Sequence, residues 1–487
     1  LIQKHWRSTR ITGGKAMTAI TRRLAEFASR ISYEKLPFEV KERTKWLVTD
    51  VVGIALRARH EAESTPSLLA AAAYLGLAQG RAGVIGDHAT YSPPGAALIN
   101  GTLAHSLDFD DTHAPGSIHS SAPIVPAALA AAEMVGAGGR DVIAAIVAGY
   151  EIQIRLSLAL VPKDHYDRGF HPTATCGVFG AAAAAGRVFG MSADEIASAF
   201  GIALSQAAGS MQYLVDGAYT KRFQVGYAAM SGLIAATLAR EGFHGPVGAI
   251  EGKAGFLHAY SPNADKEKAV AGLGEHYETM GIAVKPYPAC RYTHAAIDAL
   301  VALRSAHDLK VKEIESVEVG LPRTGWKLVG DPLPDKQRPQ SVVDGQFSMP
   351  FLAAVALREG SMGWDHYARH LKDSDTLKLC QRVDAVVDPQ VEAEFPAHMS
   401  GVARVRTRRG VFEKFVAVAK GEPENFVSLD ELRAKFDGLV DPYLSKARCD
   451  AAATALLTLE QADDIGAVLR LTRPDRAAAP KAAAGDD

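Results

Sequence analysis

Up to about Leu273 the chain is patterned almost wholly as helix, in long Ala-rich apolar runs broken by Gly and Pro, and few stretches alternate as a sheet would require. Ser192 followed by Glu195 is a capping box, in which each side chain satisfies backbone N–H groups at a helix start. The run that follows, IASAFGIALSQAAGSM (196–211), is apolar nearly all round. Such a helix must be buried on several sides, which predicts an interior layer of helices. After about Gly274 the period changes. IESVEVGL (314–321) alternates like a strand, and residues 401–419 read as a hairpin turning at Arg409-Gly410, with helical segments near 292–306 and 347–357 between them. Beyond Gly421 helices return, opened by a second capping box at Ser428 and Glu431. The fold class expected is mainly α: a large all-helical domain, discontinuous over residues 17–273 and 422–472, with an α+β domain inserted at 274–421. No internal repeat stands at solenoid spacing.

A chain of 487 residues is too long for one ordinary core, which agrees with two domains. Its 48% apolar and 22% charged residues are those of a soluble globular protein. A net charge of -2 leaves no electrostatic footprint for nucleic acid or a membrane surface. The uncharged helical stretch 225–239 is interrupted by Gly226, Ser231 and Gly232, and reads as a buried helix rather than a membrane span. Cys176, Cys290, Cys380 and Cys449 form no CxxC pair, so a zinc ribbon, an iron–sulfur site or a disulfide framework is not expected, and a reducing cytoplasm fits best. Residues 1–16, basic and without an apolar signal core, are read as an extension or start-site artefact, with Met17 opening an amphipathic helix. Residues 473–487, rich in Ala, Pro and Asp, are read as a disordered tail.

Four stretches carry chemistry. In NGTLAHSLDFDDTHAPGSIHSSAP (100–123), a helical first part would put His105, Asp108 and Thr112 on one face, with Pro115-Gly116 ending the helix and starting a loop that carries His119. No Lys or Arg occurs from 82 to 139, yet Asp108, Asp110 and Asp111 crowd together. At least one of them must gain a cation from elsewhere, keep its proton or bind a metal. A solvated acidic turn is the bland alternative; apolar flanks and three histidines favour a buried polar site. His105, Asp108, His113 and His119 lack a diagnostic ligand spacing, and no metal is expected. In RGFHPTATCGVFGAAAAAG (168–186), Pro172 suits the first helical position and makes His171 the N-cap. Free N–H groups gather there as an anion site, and their field keeps His171 neutral, able to act as a base or merely to orient a loop. In GAYTKRFQVGYAAMSGLIAATLA (217–239), Lys221 and Arg222 stand just before a helix too apolar for a surface; they are either two surface cations or cations that meet Asp108 or a bound carboxylate. In VKPYPACRYTHAAIDAL (284–300), Lys285, Cys290, Arg291, Tyr292 and His294 project from a stiff segment entering the α+β portion, where inter-domain ligand sites tend to form.

DFDDT followed by a His, GFHPTAT, the TKR segment before a Gly/Ala-rich helix, and KPYPACRYTH stand in the order of the MmgE/PrpD family, which the chain resembles from about Met17 to Arg473. The resemblance implies a helical domain plus an α+β lid domain, a homodimer, an active site between the domains, and catalysis without iron–sulfur cluster, nucleotide or other cofactor. Activities on this fold include 2-methylcitrate dehydration, cis-aconitate decarboxylation and iminodisuccinate epimerisation. The family's acidic position falls on Asp108 with Thr112 beside it, its two pocket histidines on His119 and His171, and its two lysines on Lys221 and Lys285. Arg222, Cys290, Arg291 and His294 join Thr112 as substrate-binding candidates. Three departures stand out: a loop between Asp108 and His119 one residue longer than in the decarboxylase branch, Cys290 in place of that branch's pocket histidine, and Gln224 where His or Asn is common.

Each of these reactions builds negative charge on a carboxylate, which Lys221, Lys285 and the helix start at His171 would stabilise. Asp108, His119 and His171 would handle protons. The sequence therefore points to a metal-independent hydro-lyase of the 2-methylcitrate dehydratase type, acting on a small hydroxy di- or tricarboxylate. An epimerase or isomerase, which Cys290 favours, and a cis-aconitate-type decarboxylase are the alternatives on the same fold. A non-catalytic carboxylate-binding helical protein is the alternative of another class.

Overall fold

A computed structural model describes residues 19–475. The expectations for residues 1–16, for Met17 and for 476–487 lie outside the described residues. The near end of the expected tail is docked: Asp475 accepts from the Ser445 backbone N and Oγ, both at 2.6 Å.

Most of the described chain is helix, and both capping boxes form as the sequence predicts, with Ser192 and Ser428 each accepting from the N3 backbone of Glu195 and Glu431. The helix after Ser192 runs Ala193–Leu204 and stops short of Met211. Helices Pro93–Ala104, Ser121–Val135, Gly139–Ala159, Pro172–Val188 and Thr220–Arg240 share one continuous core with Phe38–Glu61 and with the returning helices Leu429–Val440 and Lys446–Leu457. Among the described residues, one helix, Gly139–Ala159, is long and apolar enough to cross a membrane, but 94% of its apolar window is buried in the protein. It also carries the buried pair Glu151–Arg155 at 3.1 Å, the mark of an interior helix held to its neighbours. Gly226 permits close approach of Thr220–Arg240 to Pro93–Ala104, since a Cβ there would lie 2.2 Å from Thr102 Oγ1.

A second core gathers residues 289–405 around one four-stranded sheet. The predicted strand Ile314–Leu321 is present, flanked by Gly401–Thr407 antiparallel on one side and Val383–Val387 parallel on the other, with Gly410–Val416 at the edge. Val383–Val387 escaped the sequence reading, because it follows a short helix directly and only its first and third residues are buried. The hairpin turns at Arg408-Arg409, one residue earlier than predicted. Helices His294–His307 and Met349–Glu359 belong to this core. The chain enters and leaves it side by side: Val284 N donates to Gly421 O at 3.0 Å. Outside the two cores' strands, residues 82–83 and 90–91 form a small antiparallel pair that the sequence reading lacked.

Candidate functional site

Helix Pro93–Ala104 ends at Ala104, and Asp108 has a positive φ of 51°. His105, Asp108 and Thr112 therefore share no helix face, and Pro115-Gly116 lies within a loop rather than at a helix end. A left-handed aspartate persists only when its surroundings hold it. Three distant side chains do so, each donating to a successive carbonyl: Gln346 to Leu107 at 2.7 Å, Lys285 to Asp108 at 2.8 Å, and Lys435 to Phe109 at 3.0 Å. Two of these come from the segment beyond Val284, and the third from helix Leu429–Val440.

The loop so held sends its three carboxylates in different directions. Asp108 meets the two lysines, at 2.8 Å from Lys221 and 3.2 Å from Lys285. Burial works to raise its pKa, yet the two ammonium groups prevail and hold it well below the usual carboxylate range. Lys221 is raised in return, chiefly by Asp108 against the cost of burial. Asp110, fully buried, accepts from His105 Nδ1 at 2.7 Å and lies 3.3 Å from His119 Nδ1. Its pKa too is held low by the two imidazoles against burial. Asp111 turns to the far side, where it caps helix Ser121–Val135 by accepting from the backbone N of Ser120 at 3.0 Å and of Ser121 at 3.1 Å. It also accepts from Ser121 Oγ, which in turn lies 2.5 Å from Tyr150 OH. With no cation beside it, burial pushes Asp111 up to about 7. Behind Phe109 a further buried pair, Lys435 with Asp50 at 2.6 Å, ties the returning helix to Phe38–Glu61.

His171 is the N-cap of Pro172–Val188, as Pro172 predicts. Burial, then the neighbouring His105 and Lys221, lower its pKa well below the ordinary imidazole value, so the ring is neutral. Gln224 Nε2 lies 2.8 Å from its Nδ1. The His105 ring stacks at 5.8 Å on His171 and meets His119 edge-on at 4.6 Å. Burial lowers His105 to about 4 despite Asp110. Lys221 and Arg222 lie inside the first turn of Thr220–Arg240, not before it. Three helix starts thus converge on this cluster, after Ser120, after His171 and after Tyr219, and such ends attract anions.

The remaining candidates are placed less uniformly. Thr112 accepts from Arg291, whose guanidinium also pairs with Glu422. Thr112 exchanges backbone hydrogen bonds with Ala283, at 2.9 and 2.8 Å, just before Lys285. Cys290 is buried and its thiol is pushed up to about 11 by that burial, so it is neutral rather than a thiolate. His294 is occupied within the second core: its Nε2 faces the Ala289 carbonyl at 3.2 Å and its ring packs on Tyr287, with burial lowering it to about 3. Arg222 points to Ser64 Oγ at 3.3 Å and over the Tyr219 ring, not into the pair of lysines around Asp108. Sequence reasoning missed Gln346 and Lys435. Lys435 left a signal, since it occupies the apolar face of its helix with Leu432, Phe436 and Leu439; Gln346 left none.

The one cluster among the described residues that offers metal-ligand atoms close together is His105, Asp110 and His119, within 4.8 Å of one another. Two imidazoles and a carboxylate are a chemically suitable three-ligand set. The Asp108–Lys221–Lys285 group beside it instead sets two cations against one carboxylate, and its net positive charge suits a ligand that is itself an anion.

The MmgE/PrpD N-terminal domain matches residues 22–269, and the MmgE/PrpD C-terminal domain matches residues 287–461. A cis-aconitate decarboxylase-like protein of Aspergillus oryzae is 28% identical to the chain, over 93% of this chain and 97% of its own. The cis-aconitate decarboxylase of Aspergillus terreus is 26% identical over 94% and 96%, and that of Mus musculus 25% identical over 78% of each chain.

Proposed function

The chain belongs to the MmgE/PrpD family, and on that premise we propose that it is a lyase, independent of metal and nucleotide, acting on a small di- or tricarboxylate bound between Lys221 and Lys285. The observation that carries this reading is the double grip on Asp108: two ammonium groups within 3.2 Å of one carboxylate, beside three histidines and three helix starts. A substrate carboxylate can take one of these cations while Asp108 keeps the other. As CO2 leaves, the electron pair of the broken C–C bond delocalises toward a remaining carboxylate. The two lysines and the helix start at His171 stabilise that growing charge. The carbon then takes a proton, a role for which His119, backed by Asp110, is the candidate.

Decarboxylation stands first because relatives bearing that name align with the chain almost end to end. Water elimination of the 2-methylcitrate dehydratase type stands second, since Cys290 in place of the decarboxylase branch's histidine speaks against decarboxylation. There a base removes the C–H proton and an acid protonates the departing hydroxyl. Proton NMR of the enzyme with candidate acids in D2O separates the readings: CO2 release marks the decarboxylase and loss of water the dehydratase. Deuterium exchange without net turnover would mark an epimerase and end the lyase proposal, and binding without any change would mark a carboxylate-binding protein. Turnover that survives exhaustive chelation supports the role of fixed cations; activity lost on chelation and restored by a metal would move the chemistry to His105, Asp110 and His119.

The α+β portion acts in this reading as a lid, supported by the reach of Lys285 and Gln346 onto the Asp108 loop. The chain works as a homodimer. The support is an apolar outer face on Thr220–Arg240, where Phe223 and Leu238 are exposed, together with Tyr74 at 95% exposure on a neighbouring Ala-rich helix. Sedimentation of a monomer at micromolar concentration would remove the dimer.

A further inference from the structure

A chain of hydrogen bonds that begins on the backbone fixes which nitrogen of His171 carries the proton. The Ser210 N–H can only donate, and it donates to Gln224 Oε1 at 3.0 Å. That bond orients the carboxamide without appeal to its atom assignment, because the oxygen must face the backbone N–H. The amide nitrogen is then the atom 2.8 Å from His171 Nδ1, and an amide nitrogen also can only donate. Nδ1 must therefore present its lone pair, and in a neutral ring the single proton sits on Nε2.

We infer that Gln224 is a positioning residue that makes His171 a hydrogen-bond donor at Nε2, aimed at a substrate oxygen, and not the base that its place at a helix start suggests. Several features agree with this. Gln224 is buried, 8% exposed, and lies one turn along the helix that supplies Lys221, so ammonium and imidazole are set by the same element. Burial, with the neighbouring His105 and Lys221, keeps the ring neutral, which preserves a donor on one nitrogen and an acceptor on the other. Nε2 has no hydrogen-bond partner among the described residues, which leaves its proton for a ligand. A neutral N–H fixed in place acts on the oxygen where charge grows, as a preorganised donor does in an oxyanion site. Proton removal or delivery at carbon then falls to another group, and His119, less buried than His105 and 3.3 Å from Asp110 through its Nδ1, is the candidate.

The inference rests on the proposed chemistry only for its consequence in turnover; the tautomer itself can be read in the free protein. In protein labelled with 15N-histidine, long-range proton–nitrogen spectra distinguish a protonated ring nitrogen from one bearing a lone pair, and His171→Gln identifies the His171 signals by their loss. The expected spectrum has the proton on Nε2 and the lone pair on Nδ1. Gln224→Glu puts a carboxylate where the amide nitrogen stands. That carboxylate still accepts from Ser210 and now draws a proton onto Nδ1. In this variant the Nδ1 signal should become that of a protonated nitrogen, and kcat should fall roughly a hundredfold or more, with a smaller change in KM. A native spectrum with the proton on Nδ1 overturns the inference, and it does so even if Gln224→Glu fails to fold. So does a Gln224→Glu enzyme with the proton on Nδ1, a lone pair on Nε2, and kcat unchanged. A native Nε2 proton in a protein that turns over no acid would uphold the tautomer while removing the lyase reading.

Discussion

Asp108 and Asp111 stand on one loop, are both buried, and are in opposite states. Asp108 faces two lysines and is ionised with room to spare. Asp111 faces hydroxyls and backbone N–H groups, has Asp110 and Asp50 as charged neighbours, and holds its proton up to about pH 7. Burial penalises both charges alike, so the cation partner decides. The front of the loop, with Asp108, Lys221 and Lys285, has charges arranged to meet a ligand. The back, with Asp111, Tyr150, Asp50 and Lys435, has polar groups arranged to satisfy one another. The same residue type thus serves binding on one side and architecture on the other. Substitutions on the two sides should separate turnover from stability.

The largest effect is expected at the back. Lys435→Met leaves Asp50 buried without its cation, and breaking a buried pair this way costs about 3–5 kcal/mol. Asp50 is already raised to about 6 by burial, so it escapes part of the cost by taking a proton. The drop in thermal midpoint should accordingly be greater at pH 8 than at pH 5. The double variant Asp50→Leu with Lys435→Met should recover part of the loss, because an apolar pair of similar volume replaces the ion pair while the Phe109 carbonyl still lacks its donor. A single variant as stable as the parent at pH 8 would show that the back of the loop carries no such dependence.

At the front, Lys221→Ala should act on turnover. Removing one preorganised cation should lower kcat roughly a hundredfold, more than it raises KM, for whichever acid the NMR assay identifies. Lys221→Arg should rescue only in part, since a planar guanidinium does not fit a compact ammonium site. Asp108 keeps Lys285 in either variant, so the thermal midpoint should move little. Near-normal kcat in Lys221→Ala would leave this lysine only the structural partner of Asp108, and the site would have to be rebuilt around His171 and Lys285.

The contrast between front and back also explains what the sequence could reveal. Local rules were readable: the caps at Ser192 and Ser428, His171 before Pro172, and the alternation of Ile314–Leu321 all arise within a few residues. The crowding of Asp108, Asp110 and Asp111 without nearby cations showed that the loop needed distant partners, and Lys221 and Lys285 are two of them. The path of the loop was not readable, because its positive φ at Asp108 is imposed by Lys285, Gln346 and Lys435 from far along the chain. A helical face through His105, Asp108 and Thr112 was the natural local guess, and tertiary donors to three consecutive carbonyls overrode it. His294 and Arg222 show a limit of motif reading, since adjacency in a motif says nothing of the partners each side chain takes, the Ala289 carbonyl and Ser64 Oγ.

The last effect, read as a function of pH, separates the two carboxylates most directly. In the unfolded chain Asp111 titrates near 3.9, and in the folded protein at about 7. Between roughly pH 4 and pH 7 the folded state therefore holds a proton that the unfolded state has lost, so this residue's contribution makes stability fall as pH rises through that window. Asp108 has the opposite sign, because its folded pKa is depressed and its contribution is lost only in acid. Asp111→Asn removes the titration but keeps an oxygen that can accept from Ser120 N and Ser121 N, while its amide can donate to Ser121 Oγ. The variant should match the parent near pH 4 and exceed it at pH 8, by at most about 4 kcal/mol, the linkage of the full shift. Thermal midpoints of the two proteins across that range measure the difference. Parallel curves would mean that Asp111 is ionised in the folded protein after all, and that Ser121 and the start of its helix stabilise the charge as well as lysine does for Asp108.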